Sequence, residues 1–189
     1  MGVAPGSTEG ETMIGPFQLN SSDRASLVQA IHAAPGKIVL AVTGGGVQAI
    51  TDLLLMPGAS RTVLEVSVPY AGSALAELTG VDDGAVSTST AEAMALACYS
   101  RAIALSGESQ PPGLVAGVAC TAALVTDRER RGADRACLAV VDAEGTTSWD
   151  VSLSKAGPEN AANDRVSQDR MVADSVLRAI ATAVGVHAV

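Results

Sequence analysis

The sequence predicts an α/β domain, a three-layer α/β/α sandwich built on a mixed sheet. Three observations predict it. Short apolar runs alternate with stretches of helical periodicity along the 189 residues. The apolar run Val39-Leu40-Ala41-Val42 leads through Thr43 into Gly44-Gly45-Gly46 and then an amphipathic stretch, the pattern of a buried strand, a tight turn and a helix start. Two strand-like runs, Arg135–Val141 and Thr146–Leu153, flank Asp142-Ala143-Glu144-Gly145 as a hairpin.

Taken in order, Ser21-Ser22-Asp23 reads as a cap for a helix over Ala25–Ala33, which Pro35-Gly36 stops. Lys37–Val42 is the first strand. Val47–Leu55 carries Val47, Ile50 and Leu54 at helical spacing and ends at Pro57-Gly58. Arg61–Val68 reads as a strand, and Gly72–Thr79 as a short helix closed by Gly80. Ser89-Thr90-Ala91-Glu92 has capping-box form and opens a helix over Ala91–Leu105. After the Gln110-Pro111-Pro112-Gly113 loop comes a strand, Leu114–Cys120, and then a polar, arginine-rich loop, Thr121–Gly132. Beyond the hairpin, Lys155–Asn160 is a linker. Asp164–Val184 is an amphipathic helix with Val166, Met171 or Val172, Val176, Ala179, Ile180 and Val184 on its buried side. Residues 1–16 are small, polar and acidic, without a basic start or apolar core, and read as a flexible arm rather than a signal peptide. Residues 17–189 then form one domain.

Composition narrows the function classes. The formal net charge of −8 argues against nucleic acid and anionic membranes as partners. No apolar run approaches the ~18 residues needed to span a bilayer. The aromatic residues are Phe17, Tyr70, Tyr99 and Trp149, too few for base-stacking platforms. Cys98, Cys120 and Cys137 are widely spaced in apolar contexts and read as buried, reduced thiols of a cytoplasmic protein. His32 and His187 form no triad or metal-ligand pattern, so no metal or cofactor is expected.

Three segments can carry chemistry. The turn Thr43-Gly44-Gly45-Gly46 aims N–H groups and a helix start at an anion or oxyanion, although the same glycines also suit a plain crossover. No Ser, Cys, His, Asp or Glu lies between Lys37 and Gln48, so Thr43 is the turn's one candidate nucleophile. Arg128, Arg130, Arg131 and Arg135 gather four of the twelve basic residues in eight positions, matching phosphate or a solvated loop paired with Glu129 and Asp134. Tyr70, in Val68-Pro69-Tyr70-Ala71-Gly72-Ser73, follows a strand end on the expected cleft side, where open α/β sheets bind ligands.

Thr43-Gly44-Gly45, Pro57-Gly58-Ala59-Ser60, Val68-Pro69-Tyr70, and Gly84-Ala85-Val86-Ser87 followed by Ala91-Glu92-Ala93-Met94-Ala95 share an order and spacing. From Ser22 to Val186 the chain resembles the CinA C-terminal domain family, whose founding activity is nicotinamide-nucleotide amidase. The corresponding family segments are the Glu-Ser-Cys-Thr-Gly-Gly turn, Pro-Gly-Ser-Ser, Val-Thr-Tyr, and Gly-Ala-Val-Ser with its Met-Ala helix start. The resemblance implies a CinA C-terminal domain-like fold and hydrolysis of the carboxamide of nicotinamide mononucleotide (NMN). In the family a Ser is the nucleophile, with a Tyr and a Lys to activate it. By position these fall on Ala41, Tyr70 and Leu75, so only the tyrosine is kept.

The family's Thr-Gly-Ile-Ala-Gly-Pro loop is replaced by Cys120-Thr121-Ala122-Ala123-Leu124-Val125-Thr126-Asp127-Arg128. This loop, with Arg131-Gly132 and Arg135, resembles a divergent branch found as one half of fusions with a nucleotidyltransferase domain. The resemblance implies a small-molecule partner, a nicotinamide nucleotide or related phosphorylated metabolite. Gly44, Gly45, Gly46, Thr43, Tyr70, Ser87, Thr121, Arg128, Arg131 and Arg135 are the candidate contacts, and the standard serine chemistry is lost. Two alternatives stand beside it: an amidohydrolase using another nucleophile, Thr43 or an activated water, and a structural or regulatory module acting as a homo-oligomer through its Ala/Val-rich helix surfaces.

Overall fold

The computed structural model describes residues 18–81, 86–107, 114–128, 132–154 and 161–186. The expected arm over residues 1–16, the linker, Arg131 and His187 lie outside these. The elements are α1 (Ser21–Ala33), β1 (Lys37–Thr43), α2 (Val47–Leu55), α3 (Ala59–Thr62), β2 (Val63–Ser67), α4 (Gly72–Thr79), α5 (Thr88–Ser106), β3 (Val115–Ala123), β4 (Arg135–Val141), β5 (Thr146–Ser152) and α6 (Ala161–Ala183). The five strands form one sheet in the order β2-β1-β3-β4-β5. β1 runs parallel to β2 and β3, whereas β4 is antiparallel to β3 and β5, so the sheet is mixed as expected.

Alternation along the strands splits the core in two. Ile38, Leu40, Val42, Val118 and Leu138 face α1, α2 and α6 through Ile31, Leu53, Val176, Leu177 and Ile180. Val39, Ala41, Ala119, Cys137 and Ala139 face α4 and α5 through Leu75, Ala91, Met94, Ala95 and Cys98. These are the three layers. On the second side α5 lies almost backbone to backbone on β3: a methyl group at Gly117 would come within 2.1 Å of the Ala95 oxygen and 2.2 Å of the Tyr99 nitrogen. That proximity is why small residues floor this side.

Several local expectations are corrected. Asn20, not the Ser21–Asp23 segment, caps α1; its side chain accepts from the Asp23 N–H at 2.9 Å. A helical turn, α3, precedes β2, because Arg61 Nε donates to the His32 oxygen at 3.0 Å and ties that turn to α1. α5 begins earlier, with Ser87 as cap; Glu92 does not close a capping box but accepts from Ser148 Oγ at 2.9 Å. Thr121, Ala122 and Ala123 belong to β3 rather than a loop, because Arg135, Ala136 and Cys137 supply ladder partners. Val166 is 62% exposed, not buried. Among the described residues no helix is long and apolar enough to cross a membrane.

His32 is a core residue, with Nε2 3.0 Å from the Leu53 oxygen and Nδ1 3.2 Å from Thr62 Oγ1. The three cysteines are free and buried. Burial pushes the Cys98 thiol up to about 12, and burial with a hydrogen bond to Asp150 does the same for Cys137; burial also raises Cys120.

Gly117→Ala is expected to cost at least about 3 kcal/mol, since neither backbone can withdraw; urea unfolding measures it. At pH 8 a thiol of pKa about 12 is ionised to roughly one part in ten thousand. Native protein should therefore resist a thiol-labelling reagent that modifies the cysteines once urea unfolds the chain. The folded thiols keep protons that the unfolded thiols, with the ordinary value near 9.0, lose. Stability is thus full below about pH 9 and falls as pH climbs toward 12. Stoichiometric labelling of native protein at pH 8 would contradict this.

Candidate functional site

The carboxyl ends of parallel β1 and β3 lie side by side, and the loops that leave them define the candidate site. The Gly turn is built as expected, with Gly44 at φ +77° and Gly46 at φ +84°. A methyl group on Gly44 would sit 1.8 Å from the Ala122 oxygen, and one on Gly46 3.2 Å from Val172 and Val176. Gly45 is less confined, since an added methyl would meet the flexible end of Leu124 at 2.8 Å. Positive φ and close packing against β3 and α6 therefore account for Gly44 and Gly46.

The turn's donors answer to the protein itself. Asp169 Oδ1 accepts from the N–H of Gly46 at 2.7 Å and of Val47 at 3.2 Å, and its Oδ2 accepts from Gln48 at 3.1 Å. The anion drawn to the start of α2 is thus an internal carboxylate, 7% exposed. This corrects the expectation of an open N–H at Gly46: on folding, a side chain already present at high local concentration takes it.

Two further side chains of α6 bind the neighbouring loops. Gln168 accepts from the Val125 N–H at 2.7 Å and donates to Asp134 Oδ2 and the Ser154 oxygen. Arg165 donates to the Val125 oxygen at 2.9 Å, the Gly44 oxygen at 3.1 Å and the Tyr70 hydroxyl at 3.3 Å. None of these residues was singled out from the sequence. The signal was available: Arg165, Gln168 and Asp169 continue toward the N-terminus the helical stripe of Val172 and Val176, so polar groups occupy buried positions.

On the α5 side the register lines up a polar row. Thr43, Thr121, Cys137 and Asp150 are successive cross-strand partners on β1, β3, β4 and β5. Thr88, in the first turn of α5, donates to both oxygens of Asp150 at 3.2 and 3.3 Å. Thr43 Oγ1 donates to the Pro69 oxygen at 3.0 Å, which ties β1 to the Tyr70 loop. The row behind it, Ala41, Ala119 and Ala139, is apolar and buried. Ala41 and Leu75 share that cluster, so the positions the resemblance assigns to the nucleophile and the lysine are core.

The candidate residues are only partly assembled. Thr43 and Thr121 are adjacent and buried, and Gly44 and Tyr70 meet through Arg165. Ser87 caps α5 beside Thr88, and Arg135 opens β4, where its guanidinium donates to the Val86 oxygen. Arg128 is elsewhere: its side chain is 89% exposed, with Asp127 4.0 Å away. Tyr70 is 67% exposed and accessible at the rim.

No protein-family model matches the sequence, and no curated relative does. Solved structures do match. The chain is similar to a competence-damaged protein (CinA) superfamily protein from Escherichia coli, at 16% identity and a TM-score of 0.61 over 88% of this chain and 92% of that one. It is also similar to the competence/damage inducible protein CihA from Agrobacterium tumefaciens, at 19% identity and a TM-score of 0.59 over 90% and 99%. A CinA superfamily protein from Enterobacter cloacae matches at 17% identity and a TM-score of 0.58 over 93% and 98%. At such identities the likeness speaks for architecture: the chain is an α/β domain with the fold of the CinA superfamily proteins.

Proposed function

We propose that this domain binds a nicotinamide nucleotide such as NMN, or a related phosphorylated metabolite, above the strand ends on the α4/α5 side, without serine-dependent amidase chemistry. The observation that carries the reading is the contrast between adjacent rows. Thr43, Thr121, Cys137 and Asp150 form a polar floor beneath the Ser87–Thr88 helix start, whereas Ala41 and Leu75 are sealed in the apolar cluster behind it. Hydroxyls, an exposed tyrosine and Arg135 suit a sugar phosphate. A buried methyl cannot attack a carboxamide, and a leucine cannot take a proton. Thr43 is a poor replacement, since its hydroxyl is spent on the Pro69 oxygen.

A second reading, a homo-oligomeric module, has one observation in its favour. Leu96 and Ile103, seven residues apart on the outer side of α5, are 56% and 48% exposed. Light scattering in solution reads the mass directly.

Thermal melts with NMN, nicotinate mononucleotide, NAD and inorganic phosphate, with ammonia measured in the same samples, test the binding reading. A nucleotide at a hundredfold excess over its Kd should raise Tm by about 5 °C or more. Thr121→Val should abolish the rise, and no ammonia should form. Ammonia release from NMN that Thr43→Ala abolishes, or a Tm indifferent to every probe, would overturn the proposal.

A further inference from the structure

We infer that Arg165 is the residue that recognises the anionic phosphoryl group of the ligand, with the Tyr70 hydroxyl beside it. This deepens the reading above and rests on it. Arg165 differs from Arg24, Arg101 and Arg170 by the company it keeps; it shares a hold on backbone oxygens with Arg61 and Arg135, but its own backbone partners lie in the loops leaving β1 and β3. Arg24 faces Asp174, with Nε 2.7 Å from Oδ1, and Arg170 pairs with Asp52. Arg101 holds Glu65 at 2.7 Å. Among the described residues of a chain with 20 acidic residues, Arg165 is held by uncharged oxygens, those of Val125, Gly44 and Tyr70. No ion pair among the described residues includes it.

The nearest carboxylate on its own helix face, Asp169, is directed away onto the N–H groups of α2. A half-buried guanidinium left with its full charge favours an anion from outside.

Its placement fits that role. The two carbonyls that hold it belong to the loops leaving β1 and β3, the loops that frame a ligand at the ends of parallel strands. A guanidinium has five N–H donors, and three are engaged among the described residues. The remaining two, with a phenol hydroxyl alongside, match the oxygens of a phosphate monoester. The alternatives in the sequence are weaker. The Gly-turn donors at Gly46, Val47 and Gln48 are taken by Asp169, and Arg128 projects into solvent beside its own carboxylate.

The test compares a nucleoside with its monophosphate. Isothermal titration of wild-type protein with NMN and with nicotinamide riboside should show a preference for NMN. Arg165→Gln should erase roughly 10- to 100-fold of NMN affinity and leave the riboside nearly unchanged, so that the preference collapses. Arg101→Ala should keep it. In wild-type protein the Arg165 Nε–H resonance should shift with NMN and not with the riboside, a readout that stands even if Arg165→Gln fails to fold.

An unchanged preference in Arg165→Gln, or a silent Nε–H resonance on NMN binding, would overturn the assignment while leaving the binding site in place. Failure of wild-type protein to bind NMN would remove the underlying reading and this inference with it.

Discussion

Asp169 brings one carboxylate against three consecutive backbone N–H groups, those of Gly46, Val47 and Gln48. The start of a helix leaves such donors without partners, and burying them unpaired costs on the order of 1–3 kcal/mol each. The Gly turn can pack tightly against β3 and α6 because α6 supplies the acceptor. Its neighbour Gln168 accepts from the loop after β3, and Arg165, one turn earlier, donates to that loop and to the Tyr70 hydroxyl. A single polar helical turn thus fixes the geometry of every described loop at the carboxyl ends of β1 and β3. Farther along, Asp174 binds the Leu19 N–H and Arg24, tying α1 to the same helix.

This clasp assigns different work to the two faces of the sheet. The α6 face spends Gln168, Asp169 and Asp174 on holding the fold and keeps only part of the Arg165 guanidinium free of it. The α5 face is floored by small residues where Gly117 admits the helix backbone and becomes polar only at the Thr43–Thr121–Cys137–Asp150 row. The proposed ligand therefore relies on the α5-side row and on Tyr70 and Arg165 at its rim, and not on the N–H groups of Gly46, Val47 and Gln48, which Asp169 takes. The same partition explains how the fold of the CinA superfamily can persist with alanine and leucine at the positions where the resemblance places a nucleophile and a lysine.

Much of the architecture was legible in the sequence because it depends on local patterns. Val47–Leu55 and Gly72–Thr79 are the helices found, since periodicity and flanking Gly or Pro residues mark both ends. The hairpin of β4 and β5 followed from its turn. Helix starts were less legible where side chains had better partners elsewhere, as with Glu92 and Ser148. The site was least legible. Asp169, Gln168 and Arg165 act mainly on residues more than 30 positions away, and nothing local distinguishes a capping carboxylate from a solvated one. Val166 faces outward for the same reason: Arg165, Gln168 and Asp169 hold the inward side of that stretch of α6 for distant loops.

The central claim, that Asp169 consumes the donors at the start of α2, is tested most directly by amide hydrogen exchange at Gly46, Val47 and Gln48. First-turn amides without a partner exchange nearly as fast as in an open chain. The account predicts that all three are slowed by about a hundredfold in the wild-type protein and that Asp169→Ala releases them. Exchange at the open-chain rate in the wild-type protein, or protection that survives Asp169→Ala, would contradict it.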